Sequence, residues 1–458
     1  MARREIYEHR STINAPAAQV LKWHWNPGTM NRLMPPWQNV KVLQAATSPQ
    51  NGQRAILQLT MGALKLDWVA EHCDYIDGEQ FADKQLSGPF AYWHHTHRVL
   101  PIDGTSCTLV DRVEYSLPAA ELSEPFMGPW IKANLQRLFK YRHAVTAADL
   151  KMYNQLGGRS MKVLITGSNG LVGSHLISFL TSQGHQVTTM TRKITSANQI
   201  LWDPETGQVD KGRLEGFDAV VHLAGENIAS GRWSREKKAS IRTSRVQGTK
   251  LLSETLASLA TPPKVLISAS AIGYYGDRGD KILTEESAAG EGFLADVCRE
   301  WESATDSARE RGIRVAELRI GVVLSPKGGA LTKMLPPFRM GAGGRLGTGK
   351  QFMSWIALDD LVGVIEHILV NEELSGPINA VAPNPVTNSE FTSALGASLH
   401  RPTIFPVPGL AINLLLGEMA NDLLLASTRV QPTKLLASGY VFRYAHVAPL
   451  LKQMLSAA

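Results

Sequence analysis

Gly167, Gly170 and Gly173 stand in the spacing Gly-x-x-Gly-x-x-Gly, and the chemistry that spacing serves is the binding of an anion by backbone. The apolar run Val163, Leu164 and Ile165 leads into them, and a helix-like pattern (Leu171, Val172, Leu176, Ile177, Leu180) follows at once. The first glycine permits a tight turn, the second lets backbone approach a pyrophosphate, and the third lets helix and strand pack closely. The anion is then met by the free N–H groups and the positive dipole end of the helix. Gly167, Ser168, Asn169, Gly170, Leu171, Val172 and Gly173 are therefore expected to hold the phosphates of a dinucleotide.

A second strand, 186–191, follows Gly184, and its end decides between two cofactors. A carboxylate there would take the ribose 2′-OH of NAD, whereas an arginine accommodates the 2′-phosphate of NADP. The chain offers Thr191, Arg192 and Lys193, with no carboxylate before Asp203. Two cations suit a phosphate dianion, so NADP, or its reduced form NADPH, is the expected cofactor.

These residues begin some 160 positions into a chain of 458, long enough for two or three domains. Apolar residues make up 44% and charged residues 19%, a balance that suits globular domains with large cores. The net charge of +6 is dispersed; the densest basic run, 235–238, has no interleaved aromatics, so no nucleic-acid partner is expected. Cys73, Cys107 and Cys298 are far apart and odd in number, which argues against a disulfide framework and for a reducing, cytoplasmic setting. The opening MARREIYEHR lacks the apolar segment of a signal peptide. The stretch 410–426 is interrupted by Asn413, Glu418, Asn421 and Asp422 and reads as an amphipathic helix, not a membrane span.

The first 152 residues read as an α+β domain. A strand at 5–13 and a short helix at 16–25 precede strands at 40–44, 54–61, 64–72, 81–86, 92–100 and 107–117, and a long helix at 129–152 closes the region. That order, together with the segment 88–97, resembles the START-like, helix-grip superfamily of polyketide cyclases and lipid carriers. The resemblance implies an apolar small ligand held between a curved sheet and the long helix. His94, His95 and His97 invite a metal, and 95 and 97 share a strand face, yet no carboxylate or cysteine accompanies them nearby. They read as a histidine-rich strand with satisfied side chains, and no metal site is expected. Residues 153–160, with Gly157 and Gly158, form a linker.

From 161 to 385 strands alternate with helices: strands at 219–223, 264–268, 314–324 and 377–381, helices at 233–259 and 361–370. Such alternation argues a doubly wound parallel sheet, a Rossmann α/β fold, with a helical extension over 386–458. The motifs 166–173, His222-Leu-Ala-Gly-Glu-Asn227 and Ser268-Ala-Ser-Ala-Ile-Gly-Tyr-Tyr-Gly276 resemble the NAD(P)-dependent epimerase/dehydratase family of extended short-chain dehydrogenases. Arg232-Trp233, Trp301-Glu302, the tract 344–352 and Trp355-Ile356 narrow the likeness to an atypical epimerase subgroup with its own C-terminal extension. The resemblance places Leu223, Ala224 and Gly225 along the cofactor ribose and Arg245 near its phosphates or ribose. It also implies a sugar- or phosphate-bearing small substrate, held by the tract 340–349 with Arg339, Arg345 and Lys350.

Catalysis in that family rests on a hydroxyl and a Tyr-x-x-x-Lys pair, in which Tyr moves a proton and Lys lowers its pKa. The pair is absent here: its positions fall at Phe293 or Leu294 and at Val297 or Cys298. Ser270, or else Ser268, matches the family hydroxyl, and Tyr274 and Tyr275 are the nearest phenols. They either transfer protons or merely wall the pocket. Two functions remain open: an NADP-dependent oxidoreductase or epimerase, and a non-catalytic NADP(H) sensor or ligand carrier. Oligomeric state is not legible.

Overall fold

The computed structural model describes residues 4–62, 64–155 and 157–455. The chain forms two compact units. One takes the residues up to Ser160 together with Ser178–His185; the other takes Met161–Ile177 and the residues from Gln186.

In the first unit, β1 (Glu5–Ile13), β2 (Val40–Gln44), β3 (Arg54–Met61), β4 (Leu64–Ile76), β5 (Gln80–Ser87), β6 (Tyr92–Pro101) and β7 (Cys107–Ser116) make one antiparallel sheet. Its order is β1-β7-β6-β5-β4-β3-β2, a meander whose last strand returns beside the first. Two short helices, α1 (Ala17–Trp25) and α2 (Thr29–Arg32), follow β1, and the long α3 (Ala120–Gln155) follows β7. Helix α3 starts nine residues before the expected 129. Pro125 and Pro129 lie inside it, where each removes only one ladder hydrogen bond from turns that bury little. Its apolar stripe begins later, at Ile131, Leu135 and Phe139, and packs with Tyr7, Trp93, Val113 and Tyr115 of the sheet.

The second unit has the expected parallel sheet. Its strands include β8 (Lys162–Thr166), β9 (Gln186–Thr191), β10 (Gln199–Asp203), β11 (Gln208–Val209), β12 (Ala219–His222) and β13 (Val265–Ala271). The order is β11-β10-β9-β8-β12-β13, continued by the strands Arg314–Ile320 and Gly376–Ala380. All neighbours pair in parallel except β11. The burial of β8 and β12 on both faces explains their unbroken apolar runs. Chain connections leave β8 towards β9 on one side, while β12 lies on the other. The crevice at this switch point is where doubly wound sheets take ligands. Three helices border it: α4 (Leu171–Ser182), α5 (Arg235–Ala257) and α6 (Phe293–Ser303).

Two expected elements divide. The strand read at 314–324 splits at Gly321, because Val322–Leu324 pairs with Trp355–Ala357 outside the main sheet. The helix read at 410–426 breaks at Gly417, with the helix Gly409–Leu416 before it and a short π-helical turn at Asn421–Leu425 after. The C-terminal region is otherwise helical. Helix Asn388–Leu399 opens on a capping box between Thr387 and Glu390, and Val447–Leu455 buries Leu450 and Leu451 against Phe391 and Leu395. No helix among the described residues is long and apolar enough to cross a membrane.

Candidate functional site

The glycine turn has the shape its spacing implies. Gly167 sits at φ +70°, and a Cβ there would lie 2.7 Å from the Leu223 carbonyl. A Cβ on Gly173 would lie 2.2 Å from the Gly167 carbonyl oxygen, so only glycine lets α4 start this close to β8. Asn169 and Gly170 are exposed just before α4, which begins at Leu171 and whose first N–H groups have no partner within the helix. Ser168, Leu171 and Val172 are half-buried beside them.

The ends of β8 and β12 are tied by polar groups that sequence reading did not find. Thr166 Oγ1 accepts the N–H groups of Leu223 and Ala224 (3.2 and 3.3 Å) and donates its own proton to His222 Nδ1 at 2.7 Å. That assignment places the ring proton of His222 on Nε2, which donates to Thr249 Oγ1 at 3.0 Å. Trp301 Nε1 donates to the same oxygen at 2.8 Å. Complete burial pushes His222 down to about 4, so it is neutral at pH 7. The chain Thr166–His222–Thr249–Trp301 thus fixes the backbone of Leu223 and Ala224 from behind. Gly225 lies over the Arg245 guanidinium, which stacks on Trp301 at 5.0 Å. Arg245 is half-buried there, and its Nη1 donates to the Ile241 carbonyl at 3.2 Å.

Thr191, Arg192 and Lys193 form the exposed turn after β9. Arg192 is not a lone cation there: its guanidinium is 3.2 Å from Glu205, both side chains being about 70% exposed. Glu205, from the loop after β10, thus brings to this turn the carboxylate that the end of β9 itself lacks.

A second polar cluster lies where β13 meets α6. Ser270 is buried, and its hydroxyl donates to Glu302 Oε1 at 2.7 Å. Arg319 holds the same carboxylate with two bonds, Nε to Oε1 and Nη2 to Oε2, both 2.9 Å. It also donates to the Tyr275 hydroxyl (3.0 Å), which in turn donates to Asn379 at 2.7 Å. Tyr275 is fully buried and pushed up to about 12 by that burial. Tyr275 thereby ties the strands Arg314–Ile320 and Gly376–Ala380 together. Tyr274 is half-buried, and its ring lies over the Arg319 guanidinium at 3.5 Å. Ser268 is buried two residues earlier on β13, opposite His222, away from this cluster. Arg278 does not reach the tyrosine side chains; it caps the backbone carbonyls of Tyr275, Ala288 and Ala289.

Two α6 residues pack against the turn Ile272–Tyr275 that follows β13. Leu294 and Cys298 face the Gly273 backbone, to which a Cβ would come within 3.2 and 3.8 Å of them. Cys298 Sγ lies 3.7 Å from the Ala271 carbonyl. Burial and the nearby Glu302 carboxylate push this thiol up to about 12, so it stays protonated and inert. Glu302 and Arg319 were missed as chemistry. A signal existed: Arg319 is a cation on a strand that is buried from Val315 to Arg319, and a buried cation demands a partner.

The tract 340–349 is clamped, not loose. A Cβ on Gly344 would fall 1.6 Å from the Phe405 carbonyl oxygen. The Gly347 N–H donates to the Val407 carbonyl, and the Val407 N–H donates to that of Arg345 (2.9 and 2.8 Å). Arg339, Arg345 and Lys350 remain exposed around it.

In the first unit, the interior is not uniformly apolar. His95, Asp111 and His143 are each at most 3% exposed at its centre, among Phe81, Trp93 and Phe139.

Comparison with known proteins follows the same division. The NAD dependent epimerase/dehydratase family model matches residues 163–380. A polyketide cyclase/dehydrase and lipid transport model matches 13–139, and a domain of unknown function matches 407–454. An epimerase family protein of Mycobacterium bovis is 44% identical over 283 residues, spanning 62% of this chain and 93% of that one. The crystal structure of a nucleoside-diphosphate sugar epimerase from Corynebacterium glutamicum superposes with a TM-score of 0.81 at 36% identity, covering 98% of this chain and 90% of its own. Human epimerase family protein SDR39U1, solved with NADPH, gives 0.60 at 34% identity, covering 64% and 99%.

Proposed function

The chain belongs to the NAD-dependent epimerase/dehydratase family, and from that premise we propose that it is an NADP(H)-dependent oxidoreductase or epimerase of a small, phosphate- or sugar-bearing molecule. The observation that carries this reading is the cradle at Gly167 and Gly173, where added Cβ atoms would strike backbone. The residues fit a dinucleotide: Gly167–Gly173 would hold the pyrophosphate, Leu223, Ala224 and Gly225 would line the ribose, and Arg192 would meet the 2′-phosphate. The human relative's NADPH supports the same choice. Arg245 supports the Gly225 backbone from below. The chemistry a bound nicotinamide would supply is hydride exchange.

The chain's own part is to position and to move a proton. Tyr274 is the phenol with access to a substrate oxygen, and we assign it the proton. Ser270 positions the substrate side of β13 through its bond to Glu302, which Arg319 holds in place. Leu294 excludes water where the family tyrosine would stand. Arg345 and Lys350 are the cations available to an anionic substrate. The front unit, of the polyketide cyclase type, carries an apolar ligand. Three free thiols suit a reducing, cytoplasmic compartment.

The second reading is a non-catalytic NADP(H) sensor, favoured by Leu294 and Cys298 in place of the proton-transferring pair. One experiment separates them. Small molecules that co-purify with the full chain are identified by mass spectrometry and added back while the reduced-nicotinamide absorbance is followed. Turnover with any of them supports the enzyme. Unchanged absorbance across the set, with front-unit ligand binding that responds to NADPH, would establish the sensor instead.

A further inference from the structure

We infer that the front unit holds a divalent transition-metal ion, zinc the first candidate, between His95, His97 and Asp83. The sequence conceals the site because its parts come from three strands. His95 and His97 are two apart on β6 and so share the inner face of the sheet. Asp83 of β5 stands opposite His95, and Asp111 of β7 stands opposite His97. Asp83 Oδ1 lies 3.3 Å from His95 Nδ1 and 3.7 Å from His97 Nε2. All three ligand atoms lie within 4.8 Å of one another, and a tetrahedral ion with bonds of ~2.0–2.1 Å would draw them to about 3.3 Å.

The surroundings support ligands and not just neighbours. Asp111 Oδ1 meets the far nitrogen of each ring: it accepts from His95 Nε2 at 2.8 Å and lies 2.6 Å from His97 Nδ1, at an oblique angle. Its second oxygen accepts from His143 Nε2 at 2.5 Å. A carboxylate behind a metal-binding imidazole orients the ring and turns its other nitrogen towards the ion. Trp93 Nε1 donates to Asp83 Oδ2 at 3.3 Å, which leaves Oδ1 to the notch. An ion of charge +2 would replace ring protons in balancing Asp83 and Asp111, which already pair with His95, His97 and His143. Three protein ligands leave a fourth position for water, the layout of a reactive rather than a closed structural site. A second cluster, Cys73, Asp74 and His94, is more exposed, and His94 alternates to the other face of β6.

The test uses untagged full-length protein, stripped with a chelator and dialysed. Zn²⁺ is titrated by calorimetry, and Co²⁺ loading is followed by absorption spectroscopy. The expected result is one equivalent of Zn²⁺, with visible Co²⁺ bands of a four-coordinate nitrogen and oxygen site and no thiolate band in the near ultraviolet. His97→Ala and Asp83→Asn abolish it. Asp111→Asn, which touches no ion, weakens it by about 10–100-fold, and His94→Ala leaves it unchanged. Absence of stoichiometric Zn²⁺ binding to the unmodified protein overturns the inference, whatever the folding of the variants. So does a thiolate band, or binding lost on His94→Ala and kept in the His95→Ala, His97→Ala double variant.

Discussion

The Ser270 hydroxyl donates a hydrogen bond to Glu302, and the same carboxylate is gripped by Arg319 across two 2.9 Å bonds. The dyad is therefore a braced hydrogen bond, not a free base. Replacing Glu302 by Gln strands a buried guanidinium and should cost about 3–5 kcal/mol of stability. Ser270→Ala removes one bond to a charged acceptor and should cost about 1.5–3 kcal/mol. Denaturant midpoints read both; a Glu302→Gln protein as stable as the unmodified one would mean that the brace does not form.

The two adjacent phenols should separate cleanly. Tyr274→Phe is expected to lower kcat by about 10²–10⁴ while leaving the melting temperature alone. Tyr275→Phe leaves Arg319 and Asn379 short of a partner and should cost about 1–3 kcal/mol of stability. Reversal of this pattern in parallel assays and melts would move the proton to Tyr275.

Arg192 and Glu205 make opposite predictions for calorimetry. Arg192→Ala should weaken NADP by about 1.5–3 kcal/mol and leave NAD nearly unaffected, removing most of the preference. Glu205→Ala releases Arg192 from an exposed pair worth about 0–1 kcal/mol and should tighten NADP by up to that amount. Tighter binding of NAD than of NADP to the unmodified chain would refute the cofactor assignment.

Two glycines of one loop should differ. Gly173→Ala drives a methyl to 2.2 Å from the Gly167 carbonyl, so it should destabilise the second unit and abolish cofactor binding together. Gly170→Ala meets the same oxygen at 3.3 Å and is exposed. It should fold normally and weaken only the cofactor. Equal melting temperatures for the two variants would show that the loop is looser than described.

His222 makes stability depend on pH. Its folded pKa, about 4, lies below the unfolded value of about 6.5, so between these the unfolded chain binds the extra proton. Stability from this group is complete above pH 6.5 and is lost as pH falls towards 4, by about 1.4 kcal/mol per unit. The ring signals of His222 in NMR should keep their neutral positions down to pH 5.5. A titration midpoint near 6.5 would show the ring to be hydrated.

What the sequence made legible was local. The turn at 167–173 declares itself because strand, glycines and helix are contiguous, and the β–α alternation after it follows from runs of hydrophobicity. The braced serine was not legible, since Ser270, Glu302 and Arg319 are separated by 32 and 17 residues and meet only through packing of β13, α6 and the strand at 314–320. The carboxylates beside the β6 histidines were not legible for the same reason: strand register, not sequence proximity, brings Asp83 and Asp111 to them. Helix α3 was begun too late because proline at 129 suits a first turn, and nothing in the pattern marks the exposed turns before it. The long late helix was overextended across Gly417, whose φ of +62° ends it.

The seam between the glycine tract and residues 405–407 is made of backbone: Arg345 and Gly347 exchange hydrogen bonds with Val407, and Gly344 abuts the Phe405 carbonyl. Backbone contacts of this kind are indifferent to side-chain identity but sensitive to register. Over evolutionary time such a seam tolerates replacement of Arg345 or Val407 far more readily than a one-residue insertion or deletion on either side of it. Its signature across descendants would be constancy of spacing with drift of letters, so the C-terminal extension is inherited as a matched half of the tract rather than as an optional tail.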